Sequence, residues 1–386
     1  MVYCGEMGRS PAQLVADWVR ALAPPTFAQA SDRKIIYTRS GREAILLAAR
    51  VWGLGSGDHV LVPSYNCGSE ISPLIASGAR VTMYRVDARA KIDVADLVRR
   101  IGPRTKAVLF THYFGRPGDI EPLARVCRER NIRLLEDCAL SLFSIGVGEC
   151  GDAAIFSLRK SLPVGDGGVL SLRDKGARIP AMPEAAPLIS TGRGAASVMK
   201  KWFETTAGIH RAASTAPQQD AATLHAQGAS KPDMPQSYYC DGSAPVRDAS
   251  RFARGALARM NSDEVRAQRR QNYAILRDRF RGVPGLELLW GEDDLPAGMC
   301  PLGFPIIVAQ RRRWHDALNA AGVVVSCWWE GYHRGLDWEE FPEAQMLKDR
   351  LILLPVHQGL APDQLAYIAT VVRGLAARDV SSPRRI

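Results

Sequence analysis

The chain lacks any uninterrupted apolar run near the roughly 18 residues a membrane-spanning helix needs, so no such span is expected in its 386 residues. Its opening MVYCGEMGRSPAQLVADWVRAL has no basic start followed by a continuous apolar stretch, and no secretory signal is expected. No C-x-x-C pair and no His/Cys group at zinc spacing occurs among the eight cysteines. No metal is therefore expected, and the scattered cysteines suit buried or free thiols in a reducing cytoplasm. The net charge is +10, but the basic residues are spread out, and Arg311–Arg313, the densest cluster, has no interleaved aromatics. This reads as a solvated surface. An anionic substrate is the weaker reading, and nucleic acid is not the expected partner. No internal repeat is visible.

Strand and helix patterns alternate between residues 30 and 175. KIIYT (34–38), HVLVP (59–63), RVTMYRV (80–86), KAVLFTHY (106–113), IRLLEDC (132–138), AAIFSL (153–158) and GGVLSL (167–172) read as strands. Helices are expected from Gly41, around Ser69–Ser77, from a cap at Asp93 to Arg100, and from Asp119. The rhythm predicts an α/β fold with a mainly parallel sheet wrapped by helices. Residues 1–29 are expected to form an N-terminal helical segment and 30–245 a large domain, with 176–245 a long irregular stretch of Ala, Gln, Ser and Pro character. Residues 246–386 are expected to form a smaller α+β domain, with a charged helix from about Ala249 to Phe280, strands at 302–308 and 322–328, and a last helix from Pro362.

In parallel sheets ligands sit past the carboxyl ends of the strands. Three features fall there. Asp137 ends a buried apolar strand, where a carboxylate is costly without a cationic partner. Taken alone it reads as a cap or turn residue. Lys160 lies between two apolar strands and just before a Gly-rich turn. It is either a solvated loop lysine or an amine held near the sheet to form a Schiff base. Ser157 precedes it by three residues and could hydrogen-bond a phosphate. Ser40, Gly41 and Arg42 follow a strand and open a helix, whose first N–H groups form an anion site. A lysine, a carboxylate and an anion cradle together suit pyridoxal 5'-phosphate (PLP).

The ordered stretches 40–66, 104–139, 151–172 and 350–368 resemble the DegT/DnrJ/StrS-type PLP-dependent aminotransferases, enzymes of the aspartate-aminotransferase fold (fold type I). The resemblance implies a seven-stranded sheet in the large domain and a twofold homodimer with shared active sites. By it, Ser40, Gly41 and Arg42 form the phosphate turn, Asp137 faces the pyridine nitrogen, and Lys160 is the Schiff-base lysine. Lys160 favours amino transfer over the dehydration of related enzymes that carry histidine there. The chain departs from the family pattern at several points. Leu140 replaces a usual Gln. Cys67 occupies the position of the ring-stacking aromatic, and either Tyr65 takes that role or no residue does. Ile155 stands where the family has a phosphate-binding serine, leaving that role to Ser157. The family's Asn-Tyr-Arg stretch is not recognisable around Gly242–Ser250.

His112 reads equally as a cofactor neighbour or a core histidine. Trp328, Trp329, Tyr332 and His333 could line the substrate site, with core packing the blander reading, and His357 reads as structural. The expected function is transfer of an amino group from a donor such as glutamate to a keto or aldehyde acceptor, for example a keto-sugar nucleotide or natural-product intermediate. The alternatives are another PLP reaction (decarboxylation, condensation or elimination) and a PLP-binding regulatory protein with little turnover.

Overall fold

A computed structural model describes residues 32–186, 196, 233–291 and 295–381. The expected N-terminal helical segment at 1–29 and most of the irregular 176–245 stretch lie outside these. Among the described residues no helix is long and apolar enough to cross a membrane.

Seven strands form one sheet: β1 (Lys34–Thr38), β2 (His59–Pro63), β3 (Arg80–Tyr84), β4 (Thr105–Thr111), β5 (Arg133–Asp137), β6 (Ala153–Ser157) and β7 (Gly168–Leu172). Their order is β1-β7-β6-β5-β4-β2-β3. The pairs from β3 to β6 are parallel, whereas β7 runs antiparallel to both β6 and β1. The central strands bury both faces, which is why β4, β5 and β6 read as continuous apolar runs.

Register brings distant residues together. Thr38 and Ser157 both pair with Gly168, so the ends of β1 and β6 flank the start of β7. Asp137 pairs with Ile155 on one side and Thr111 on the other. One edge of the sheet thus carries the Ser40 turn, Ser157 and Asp137.

Helix α1 (Gly41–Val51) starts where Ser40 caps the N–H of Glu43, and it buries Ala44 through Ala49. Helix α2 (Ser72–Ala76) is shorter than the sequence suggested. Asp93 caps α3 (Val94–Arg100). Helix α4 (Glu121–Glu129) begins with Pro122 in its first turn and no side-chain cap, so Asp119 does not start it. The short α5 (Leu158–Ser161) carries Lys160.

The helix expected from Ala249 to Phe280 is two helices, α6 (Arg251–Arg259) and α7 (Ser262–Phe280). Asn261 breaks them because its side chain accepts from the N–H groups of Asp263 and Glu264, starting a new helix. Phe252, Ala253, Ala256 and Leu257 of α6 share an apolar cluster with Phe156, Leu158 and Val169, so α6 packs on the large sheet. Beyond it, β8 (Glu287–Leu288), β9 (Phe304–Ile307), β10 (Ser326–Cys327) and β11 (Leu351–Leu354) form an antiparallel sheet in the order β10-β11-β9-β8. Helices α8 (Arg311–Ala320), α9 (Pro342–Arg350) and α10 (Pro362–Ser381) complete this part. One core cluster joins it to the first sheet, from Ile45 and Tyr65 to Phe304 and Leu354.

Candidate active site

A cavity of about 1060 Å³ opens where the carboxyl ends of β5 and β6 and the start of α1 face β10, β11 and α10. Ser40, Gly41, Arg42, Cys67, Asp137, Ser157 and Lys160 line it; Tyr65 and His112 do not.

The anion-type corner is built by close backbone packing. A Cβ on Gly168 would sit 2.3 Å from the carbonyl carbon of Ser40, so only glycine lets β7 abut the turn. Gly167 holds φ +110°, and Asp166 ties the turn to α6 by accepting from the Ser250 hydroxyl at 2.7 Å. The N–H groups of Gly41 and Arg42 head α1 and have no intrahelical carbonyl to bond, so they are free to meet an anion. Arg42 itself donates its guanidinium to the Ser237 carbonyl and lies 5.9 Å from the Tyr238 ring. What Arg42 offers the cavity is therefore its backbone rather than its charge. Gly168→Ala is expected to cost about 1–3 kcal/mol, as overpacking does, and to weaken binding of phosphorylated ligands. Thermal denaturation and phosphate titration would check both.

Asp137, Lys160 and Cys67 form the polar floor. Asp137 is buried, and its Oδ1 accepts from the Ala139 N–H at 2.9 Å. Burial first, and the Glu70 charge second, push its carboxyl up to about 7, against the Lys160 ammonium. Burial pulls the Lys160 amine below its ordinary value. Cys67, Glu70 and Asp137 oppose that, and Arg159 adds to it. The Nζ of Lys160 lies 4.2 Å from the centroid of the Trp328 ring. The Cys67 Sγ donates to Glu70 Oε2 at 2.7 Å and lies 2.8 Å from the Ser69 hydroxyl. Burial, reinforced by Glu70, pushes that thiol up to about 12, so it is a neutral, unreactive group. Glu70, Arg159, Tyr238 and the two tryptophans complete the wall. Sequence reasoning missed Glu70, Arg159 and Tyr238. Only the nearness of Glu70 to Cys67 and of Arg159 to Lys160 could have flagged two of them.

Tyr65 is buried, and its hydroxyl donates to the Trp328 carbonyl while its ring packs 5.0 Å from that of Trp329. It holds an aromatic wall from behind. His112 is a core histidine here. Its Nδ1 accepts from the Gly118 N–H at 3.0 Å, which leaves the proton on Nε2 for Glu136, 3.0 Å away. Glu136 also accepts from the N–H groups of Gly148 and Gly151. His112, Glu136 and Cys138 place ligand-type atoms within 4.8 Å of one another, but these hydrogen bonds already occupy the nitrogen and carboxylate atoms. Trp328, Trp329 and His357 line the cavity, whereas Tyr332 packs edge-on to Trp338 and His333 accepts from the Gly335 N–H. Leu140 stands on the wall as an apolar residue.

Residues 26–186 match the model of the DegT/DnrJ/EryC1/StrS aminotransferase family. The chain is 37% identical over 148 residues to the dTDP-4-dehydro-2,3,6-trideoxy-D-glucose 4-aminotransferase of Saccharopolyspora spinosa, covering 36% of this chain and 38% of that protein. It is 30% identical over 138 residues to the GDP-perosamine synthase of Vibrio cholerae, covering 34% of this chain and 38% of that protein. The matched stretch therefore spans well under half the length of these relatives. The fold likeness runs further. An aminotransferase from Streptoalloteichus hindustanus superposes with a TM-score of 0.68 at 20% identity, covering 99% of this chain and 100% of that one. A sugar aminotransferase from Micromonospora echinospora does so with a TM-score of 0.63 at 18% identity, covering 97% and 98%.

Proposed function

We propose that this chain, a member of the DegT/DnrJ/EryC1/StrS aminotransferase family over residues 26–186, is a PLP-dependent aminotransferase. The observation that carries this reading is that the Lys160 amine, the Asp137 carboxyl and the first turn of α1 open on one cavity. The donor set fits the cofactor. It supplies an amine for the aldehyde, a carboxyl for the ring nitrogen, and N–H groups with the Ser157 hydroxyl for the phosphate.

When bound, PLP supplies an electron sink for the carbon that loses its proton. The protein's part is positional and acid–base. Burial lowers the Lys160 amine, so more of it is neutral, the form that attacks a carbonyl and takes a proton from a substrate carbon. Asp137 offers a buried carboxyl to a ring nitrogen, and the charge it gains there is matched by a cation. Leu140, Trp328 and Trp329 keep the wall apolar and limit water. The amino donor is proposed to be an amino acid such as glutamate. The names of the relatives support a keto-sugar nucleotide as acceptor. A twofold homodimer with shared sites is proposed from the fold, and a cytoplasmic setting from the free thiols of the described cysteines.

Purified protein given PLP is expected to show the absorbance of lysine-bound cofactor, and glutamate or another amino acid should convert it to the amine form. Lys160→Ala should show neither. Lysine-type absorbance surviving in Lys160→Ala would remove the cofactor assignment. A normal spectrum that no amino donor changes would point to another PLP reaction.

A further inference from the structure

Trp328 follows β10 and places its ring 4.2 Å from the Lys160 Nζ, within reach of a cation–π contact. The residue is held from two sides. Tyr65 of the large part donates to its carbonyl, and the rings of Trp329 and Phe114 pack edge-on at 5.7 and 6.2 Å. The same indole carries a buried Nε1–H that meets no acceptor among the described residues. A buried donor left unpaired is costly, and native proteins keep one where a ligand or water completes it. Cys67, also on the cavity wall, has no ring to offer, and its thiol is committed to Glu70 and Ser69.

We propose that Trp328 is a positioning and specificity-determining residue, its ring face holding the Lys160 cation and its Nε1–H donating to the carboxylate of the amino donor. The assignment rests on the aminotransferase reading above. In an amino acid the carboxylate is one bond from the carbon that bears the amine. Lys160 must reach the proton on that carbon, so the carboxylate of a bound amino acid lies within a few bonds of the lysine nitrogen, close to the Trp328 ring whose face that nitrogen meets. The charged and titratable groups facing Lys160 are Cys67 and Glu70 from the loop after β2, Asp137 from β5, and Arg159 beside it. Trp328, just after β10, adds an aromatic face to these.

Two variants separate the roles. Trp328→Phe keeps a ring face and removes the N–H. The KM for glutamate is expected to rise about tenfold with kcat little changed, and the pH midpoint of the lysine-bound cofactor absorbance should stay put. Trp328→Leu removes both. The same rise is expected, and the midpoint should also fall by about one pH unit, because a cation-stabilising face raises the affinity of the nitrogen for its proton. Trp328→Met carries the same test should the leucine variant not fold. An unchanged KM in Trp328→Phe, or an unmoved midpoint in the variant without a ring, would overturn the assignment. Absence of cofactor absorbance in the wild-type protein would instead overturn the reading beneath it.

Discussion

Asp137→Asn is expected to cut turnover on the order of 10³-fold, the scale of losing one preorganised electrostatic partner, while making the cofactor-free protein more stable at neutral pH. The two effects share a cause. Asp137 is buried, with Glu70 near it, and its carboxyl is raised from 3.8 to about 7. Between those values the folded chain holds a proton that the unfolded chain has released. Its contribution to stability is full below pH 4 and is lost as pH rises through 7. At about 1.4 kcal/mol per pH unit, the loss amounts to roughly a few kcal/mol. Asparagine carries no charge, so the variant should lack this slope. It also cannot hold a ring nitrogen in its protonated state, hence the lost turnover. Melting temperature against pH, measured without cofactor from pH 4 to 8, tests the first claim, and a steady-state assay the second. Matching pH profiles for the two proteins would show that Asp137 is not strained by its setting.

Such strain is a mark of function that the sequence carries only in part. A carboxylate after an apolar strand is visible in LLED, and the strand itself is legible because both faces of β5 are covered. The glycines before β7 and the Ser-Gly pair before α1 are also visible. What is not visible is that Thr38, Gly168 and Ser157 fall in one row, since register depends on pairing between strands far apart in the chain. The helix break at Asn261 is not legible because apolar and charged periodicity continues across it, while a single side-chain cap decides the boundary. The resemblance leaves the ring-stacking role to Tyr65 or to no residue. The structure places Tyr65 one layer back, where its hydroxyl secures the Trp328 carbonyl. The C-terminal wall is the least legible part of the sequence. Its short strands carry little period-two pattern, and Trp328 gains meaning only from its distance to Lys160.

Lys348→Met is expected to destabilise the protein by about 1–3 kcal/mol, the scale of leaving buried acceptors without their donor, although nothing in the sequence sets this lysine apart. Lys348 lies in α9 with no exposed surface. Its Nζ donates to the carbonyls of Asn66 at 2.6 Å and Gly331 at 2.7 Å, with Trp329 at 3.4 Å, and it lies 4.9 Å from the Tyr332 ring and 5.3 Å from the Trp338 ring. Burial pulls it down to about 8, leaving it mostly charged at neutral pH, and the carbonyl oxygens and rings take the place of water. Methionine fills similar space but donates nothing, so the carbonyls of Asn66 and Gly331 lose the cation they face. The consequence should reach the site. Asn66 precedes Cys67 and Trp329 follows Trp328, so this one ammonium ties the loop after β2 to the aromatic wall across the cavity. Denaturant unfolding should show a lowered midpoint, and cofactor titration a weaker affinity. An unchanged unfolding midpoint would mean that the carbonyls find other donors and that the two walls are held by apolar packing alone.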